Sequence, residues 1–497
     1  MNPIARARFL LGGGHTLGTV LGALADFHGG SRLVTEADGE ERTYREAADR
    51  VAAWAGAVAE RVEPGDRVVL ALPNGYDLLL AALAVSRAGA IPVPVNDRMR
   101  PDEVEHVIED SGAHLVVRAV AELDGADPLV AAVPADPGDV AALFYTSGTT
   151  GKPKGAELTH RALIGGVTAG AANPDWLFGL EAVVGLPIAH IMGFAALMGL
   201  ACGGIPVYFL PHFRPTDVLD ALESRKSSLF IGVPAMYRMM WEAGAAERDL
   251  RSVRVWISGA DAMPPDLAAE FRKLGASVHL PIVGSVGDAL FVEGYGMVET
   301  GGAAAAKLSL PAVCDSLLPL PGYQFKVVDE QGHDVAVGGE GELWMKGPGV
   351  LKGYWGSPEA TADAVTADGW LRTGDLVRKG PLGTATFAGR KKDVFMHGGY
   401  SVYAREVEAT LEEHPDVLEA AVVGLPDETK GAIPAAAVRV ADGSGLTPDA
   451  LVEWAADRLS AYKAPQQVLL VDDLPRTGTT KVQKREVIAL FVDTDAG

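Results

Sequence analysis

The stretch Tyr145-Thr-Ser-Gly-Thr-Thr-Gly-Lys-Pro-Lys-Gly155 packs four Ser/Thr hydroxyls, three glycines and two lysines into eleven residues. Residues 140–144, Val-Ala-Ala-Leu-Phe, read as a buried strand running into it, and the glycines then permit a tight loop. Backbone N–H groups, hydroxyls and ammonium groups exposed together make a cradle for a polyphosphate. The pattern differs from the P-loop, G-x-x-x-x-G-K-[ST]: Gly148 and Gly151 stand too close, and Pro153 follows Lys152. A plain Gly-rich surface turn would not need this combination of groups.

Outward from the loop the chain alternates. Residues 43–55 read as an amphipathic helix capped by Thr43. Residues 67–72 suit a buried strand, 74–89 an Ala- and Leu-rich helix, 90–95 a strand and 101–111 a helix. Strand, helix and strand recur at 228–233, 235–243 and 253–258. This is the βαβ signature of an α/β domain with a parallel sheet. Further on the texture changes: 323–329 and 341–347 alternate between Gly-rich turns and read as antiparallel strands. Residues 404–413 and 448–459 suit helices, and 420–425 and 435–440 suit strands.

The 497 residues are too many for one core, so at least two domains are expected. A net charge of −22 argues against a nucleic-acid partner, and means that an anionic ligand is held by local positive potential. The two cysteines, Cys202 and Cys314, exclude a disulfide framework and offer no metal-ligand spacing, which fits a reducing cytoplasm. The apolar patch after Arg6 and Arg8 is too short and interrupted for a signal peptide. Residues 182–211 carry no Asp, Glu, Lys or Arg, but five glycines, three prolines and His190 break the run. A buried strand–loop–helix–strand unit is expected there, not a membrane span.

Four more segments follow the loop in order: Glu293-Gly-Tyr-Gly-Met-Val-Glu-Thr300, Thr373-Gly-Asp375, Gly389-Arg-Lys-Lys-Asp393 with Gly398-Gly399 beyond it, and Pro475-Arg-Thr-Gly-Thr-Thr-Lys481. Together the five resemble the signatures of the adenylate-forming superfamily of acyl-CoA synthetases, luciferases and peptide-synthetase adenylation domains. The resemblance covers nearly the whole chain. It implies an α/β fold whose large N-terminal domain, residues 1–391, has parallel and mixed sheets packed with helices plus a β-barrel-like subdomain. A small mobile α+β lid, residues 392–497, would turn about Lys392.

The resemblance also assigns roles. Thr146, Ser147, Thr149, Thr150 and Lys154 would hold the β- and γ-phosphates of ATP, with Gly148 and Gly151 admitting the backbone. Tyr295, with Gly296 beside it, would lie against the adenine. Glu299 would help hold Mg²⁺, a hard ion that takes carboxylate oxygen. Asp375 and Arg390 would meet the ribose. Lys481 would offset charge where the carboxylate meets the α-phosphate. Gly398 and Gly399 would serve the later thioester-forming pose. His190 would sit beside the acyl site, and a buried structural histidine is the alternative. Three positions depart from the family pattern: Val298 stands where a Thr is usual, Thr480 where a Gly is usual, and Tyr400-Ser-Val-Tyr-Ala404 differs from the commoner acidic-Asn-Ile-Tyr-Pro.

Gly193, Phe230, Gly259, Ala260, Gly301 and Gly302 are the expected acyl-pocket positions. Their surroundings are small and apolar, with no arginine to pair a second carboxylate, which favours a medium or long fatty acid over a diacid. An aryl acid is the alternative. Coenzyme A is the expected acceptor, and the phosphopantetheine arm of a carrier protein the alternative. An inactive nucleotide-binding protein is the reading from another class. Oligomeric state is not legible.

Overall fold

A computed structural model describes residues 3–494 apart from 13, 97, 147–152, 173–179, 281–283, 309–315, 398, 399, 428, 442 and 477–481. Ser147, Gly148, Thr149, Thr150, Gly151, Gly398, Gly399 and Lys481 therefore lie outside the described residues. The chain divides into two compact units, Met1–Gln324 with Met345–Leu371, and Phe325–Trp344 with Arg372–Gly497. This division by packing and the hinge expected at Lys392 fall at different residues. Most of the antiparallel sheet of Gln324–Val328, Glu340–Lys346, Leu371–Lys379 and Ala385–Arg390 groups with the C-terminal residues.

In the first unit, Ala182–Val184, Leu229–Gly232, Val255–Gly259 and Leu290–Met297 run parallel in one nine-stranded sheet. Leu229–Gly232 is buried throughout, as expected of a parallel strand covered on both faces. Phe230, Tyr237, Trp256, Phe271 and Phe291 form a buried aromatic cluster against this sheet. The uncharged stretch folds as the strand Ala182–Val184, the helix Ile191–Cys202 and the strand Val207–Phe209. Among the described residues no helix is long and apolar enough to cross a membrane. A second parallel sheet joins Ile91–Pro94, Arg67–Leu70 and Leu115–Val117. Thr43 caps the helix Tyr44–Ala59, and Glu46 reaches back to the Thr43 amide at 2.8 Å.

In the second unit Gly431–Val440 pairs with Val417–Asp427 and Gln467–Leu470. Val422, Ala436 and Val438 share one core cluster with Leu411 and Leu451 of the helices Ala404–Glu412 and Pro448–Ala456. Ala421, Val423, Ala435 and Ala437 share another with Val487 and Phe491 of Lys484–Thr494. The period of two in a strand thus sends alternate residues to two cores, which is why both strands read as unbroken apolar runs.

Candidate active site

Ligands of open α/β sheets bind beyond the carboxyl ends of the strands. Here those ends lead into His190, Ala260 and the segment Tyr295 to Glu299. Ala260 has a φ of 70°. A residue with a Cβ held in the left-handed region at a strand end stores strain of about 1–3 kcal/mol, a feature that concentrates at functional sites.

The described residues on either side of the expected phosphate loop form a hairpin. Val140–Tyr145 pairs antiparallel with Gly155–Thr159, Tyr145 stands opposite Gly155, and the Thr146 N–H donates to the Lys154 carbonyl at 3.0 Å. A Cβ on Gly155 would lie 3.1 Å from the Tyr145 ring, so the strand closing the loop leaves little room there for a side chain. The helix Pro101–Ser111 holds both sides of the loop. Tyr145 donates its hydroxyl to Asp110 at 2.7 Å, and the His106 ring N–H donates to the Pro153 carbonyl at 3.0 Å. Burial, reinforced by Asp110, pushes the Tyr145 phenol far above its ordinary range, so it remains a donor.

Lys154 then turns toward an aromatic residue absent from the sequence expectations. Its ammonium lies 5.5 Å from the centroid of the Tyr354 ring, and the Tyr354 hydroxyl donates to Glu299 Oε1 at 2.8 Å. Gly353–Tyr354 is a short strand added to the hairpin, with Tyr354 opposite Ala156. Burial and then the Glu299 charge push the Tyr354 phenol up, so it too stays protonated and holds the carboxylate. The turn Val298–Thr300 presents Glu299, and the Leu351 N–H donates to the Glu299 carbonyl at 2.9 Å. Lys154 and Glu299 are thereby brought to one side chain. Among the described residues no group of three or more His, Cys, Asp or Glu could cage a metal. A single carboxylate suits Mg²⁺ that arrives on phosphate oxygens and keeps its waters.

Thr300 does not supply the hydroxyl that Val298 lacks. Its side chain is buried, accepting from the Met297 N–H at 2.9 Å and donating to the Gly302 carbonyl at 2.7 Å. Val298 packs against the core.

The acyl-pocket expectations divide. Phe230 is fully buried, 5.3 Å from Tyr237 in the aromatic cluster. Several glycines serve close approach. A Cβ on Gly193 would lie 2.2 Å from the Pro187 carbonyl, and one on Gly302 would lie 3.0 Å from the Ala195 Cβ. One on Gly259 would lie 3.3 Å from the Met192 terminal carbon, and one on Gly301 would lie 2.8 Å from the Ala162 carbonyl. Gly296 likewise lets two strands meet, since a Cβ there would lie 2.0 Å from the Gly302 carbonyl. The small residues thus bring Ile191–Cys202 down onto the sheet end. His190 precedes that helix as its N-terminal flanking residue, half-buried.

In the second unit, register brings Asp375 opposite Arg390, with 3.2 Å between Arg390 Nε and Asp375 Oδ1. Asp375 is 2% exposed and Arg390 is 40% exposed, so the arginine is the solvent-facing member. The Asp375 N–H donates to the Thr373 hydroxyl at 3.1 Å, and Gly374 has a φ of 71°, which fixes the Thr-Gly-Asp turn. Lys392 lies exposed in the turn Lys391–Asp393.

The family model of the AMP-binding enzymes matches residues 25–355, and that of the AMP-binding enzyme C-terminal domain matches residues 406–481. The chain belongs to the adenylate-forming superfamily. Within that superfamily it falls in the acyl-CoA synthetase branch and is an AMP-forming acid–CoA ligase. It is 34% identical to a feruloyl-CoA synthase of an Amycolatopsis species, over 94% of this chain and 96% of the relative. It is 31% identical to the long-chain-fatty-acid–CoA ligase FadD13 of Mycobacterium tuberculosis, over 85% of this chain and 88% of that one. The ATP-bound structure of MatB from Rhodopseudomonas palustris matches with a TM-score of 0.85 at 28% identity, covering 97% of this chain and 99% of that chain.

Tyr354, His106 and Asp110 are the site residues that sequence reasoning missed. For the last two a signal existed: they stand four apart on a legible helix, hence on one face. Their target was not legible. Tyr354 offered only an aromatic residue in a Gly-rich stretch.

Proposed function

We propose that this ligase activates an apolar monocarboxylic acid, a medium- or long-chain fatty acid, as its acyl-AMP and then forms the acyl-CoA thioester. The observation that carries the reading is the meeting of Lys154 and Glu299 at Tyr354, which sets a phosphate-loop cation and a metal-binding carboxylate side by side. The substrates are the acid, ATP and coenzyme A, with Mg²⁺ accompanying ATP.

A carboxylate is a poor electrophile because its leaving group would be oxide. In the first step a carboxylate oxygen attacks the α-phosphorus, the bond to the bridging oxygen breaks, and pyrophosphate leaves. Thr146, Ser147, Thr149, Thr150 and Lys154 would hold the departing phosphates, and Lys481 would offset charge where two anions converge. Glu299 would hold Mg²⁺, which would supply further positive charge to the phosphates. Tyr354 keeps Glu299 oriented for it. Asp375 and Arg390 bind the ribose, and Tyr295 packs on the adenine. In the second step the thiol of coenzyme A attacks the acyl carbon, loses its proton, and AMP leaves. Rotation at Lys392 exchanges Lys481 for the loop of Gly398 and Gly399 between the steps.

The apolar first turns of Ile191–Cys202, with Met192 against Gly259, favour an alkyl chain. The second reading is an aryl acid, favoured by the 34% identity to a feruloyl-CoA synthase. Acid-dependent pyrophosphate release, measured from acetate to stearate and with ferulate, cinnamate and benzoate, decides between them. Each acid is run with and without coenzyme A. Highest kcat/KM on alkyl acids with acyl-CoA formed supports the proposal. Preference for ferulate moves it to the aryl reading, acyl-AMP without acyl-CoA moves the acceptor to a carrier protein, and no release with any acid overturns the reading.

A further inference from the structure

Loops at the carboxyl ends of two sheets meet at one side chain, Asn74. It follows the strand Arg67–Leu70 of the second parallel sheet and precedes the helix Tyr76–Arg87. Its Oδ1 accepts from the Ile188 N–H at 2.9 Å, and its Nδ2 donates to the Pro211 carbonyl at 2.8 Å. Pro211 follows the strand Val207–Phe209, and Ile188 lies between the strand Ala182–Val184 and His190. The segment that carries Asn74 is itself held. The Tyr76 N–H donates to Glu36 Oε1 at 3.2 Å, and the buried Tyr76 ring meets Phe209 edge-on at 6.3 Å.

Ile188 is fully buried, so its N–H needs a partner inside the protein, and Asn74 supplies one. An amide presents an acceptor and a donor side by side on one rigid plane, which suits an N–H and a carbonyl at once. The turn that carries Ile188 is tight. The His190 N–H donates to the Pro187 carbonyl at 3.2 Å, and the Phe194 N–H donates to the His190 carbonyl at 3.0 Å. Gly193 packs on the Pro187 carbonyl closely enough to exclude a Cβ. A shift at Ile188 is therefore passed to His190 and to Met192, which lies against Gly259.

We propose that Asn74 is a positioning residue for the acid: through the Ile188 N–H it fixes the turn 187–190, and with it His190 and the first turn of Ile191–Cys202. This rests on the ligase reading and on the placing of His190 and Met192 beside the acyl group. Placement errors of an ångström cost a great deal in a reaction that depends on positioning. The phosphate hairpin is held by other contacts, His106 on Pro153 and Tyr145 on Asp110. Loss of the Asn74 amide thus reaches the acid and spares ATP.

The test compares Asn74→Ala and Asn74→Asp with the wild type, in the full chain, with octanoate and with ferulate as the acids. In Asn74→Ala the KM for the acid in pyrophosphate release rises about tenfold, while KM for ATP stays within about twofold. Asn74→Asp keeps the acceptor for the Ile188 N–H and loses the donor to Pro211, so its KM for the acid rises only about threefold. Amide hydrogen exchange at residues 188–194 becomes about tenfold faster in Asn74→Ala and stays unchanged at 141–145 and 155–159. An unchanged KM for the acid would overturn the proposal. So would an equal rise in both KM values, which marks general damage to the unit. Should Asn74→Ala fail to fold, Asn74→Asp decides by the same comparison: a rise confined to the acid supports the proposal, and equal values overturn it. Should the wild type release no pyrophosphate with either acid, the ligase reading falls separately. Exchange then decides the Asn74 contact alone: faster exchange at 188–194 supports it and unchanged exchange refutes it.

Discussion

The hairpin beside Lys154 and the described residues on either side of 477–481 are fastened in different ways. The first is held by two hydrogen bonds from one helix, the Tyr145 phenol on Asp110 and the His106 ring on Pro153, and its strands continue into a buried sheet. The second is held by ion pairs, Arg476 with Glu419 and Lys484 with Glu408 and Asp393. Hydrogen bonds are short-ranged and depend on the geometry of donor and acceptor. Ion pairs act over longer distances, and salt screens them only as far as they are exposed. The contrast suits the proposed duties: a cradle that keeps one shape through both steps, and a lysine that serves only one of them.

The largest effect expected is on that division of labour. Replacing Lys481 with alanine should lower adenylation about a thousandfold while leaving thioester formation from supplied acyl-AMP intact. Equal loss in both half-reactions would erase the contrast.

Acid should then distinguish the two regions by stability. His160 follows the phosphate hairpin directly, is buried, and accepts the Leu17 N–H at 3.0 Å on Nδ1. Burial pushes it down from 6.5 to about 4, with Asp139 opposing weakly. Its folded pKa is depressed, so its contribution is complete above pH 6.5 and is lost as pH falls toward 4. In that window the unfolded chain takes up a proton that the folded chain refuses. The loss approaches about 3 kcal/mol near pH 4, at 1.36 kcal/mol for each unit. Urea unfolding across this range should show that slope, and His160→Asn should flatten it. An identical slope in the variant would place the acid sensitivity elsewhere.

Tyr354→Phe removes the donor to Glu299 and should lower kcat/KM for ATP about tenfold, with a rise in the Mg²⁺ concentration needed for half-maximal rate. An unchanged Mg²⁺ requirement would detach Tyr354 from metal placement. Asp110→Asn keeps a hydrogen bond to Tyr145 but removes its charge, and should raise KM for ATP about threefold without altering KM for the acid. The smallest effect is that of salt. Raising ionic strength should slow adenylation by less than about fivefold, since the carboxylates of these pairs are largely buried and such pairs are screened little. A larger fall in thioester formation than in adenylation would reverse the contrast.

Much of the fold was legible because its signals are local. Thr43 with Glu46 marks a helix start, unbroken apolar runs at 229–232 and 435–438 mark strands with two covered faces, and the breakers within 182–211 exclude a span. Asp375 and Arg390 were assigned together, and the register of two adjacent strands makes them a pair. At Phe230 the sequence showed an apolar residue near the expected pocket but not which way its ring turns. The strand alternates, and its ring faces the aromatic core. The glycines of the acyl region were read as room, and several of them are points of contact between backbones.

The sequence by itself determined the superfamily, the order of strands and helices, and the identity of the chemical groups, because these follow from side-chain type, spacing and local backbone preference. Which groups meet was decided only by the tertiary structure. Tyr354 comes to Glu299 across 55 residues, His160 to Leu17 across 143, and Lys484 to Glu408 across 76, the last being the difference of the two residue numbers. Such contacts depend on strand register and helix placement, and those are set by how all the apolar faces pack at once.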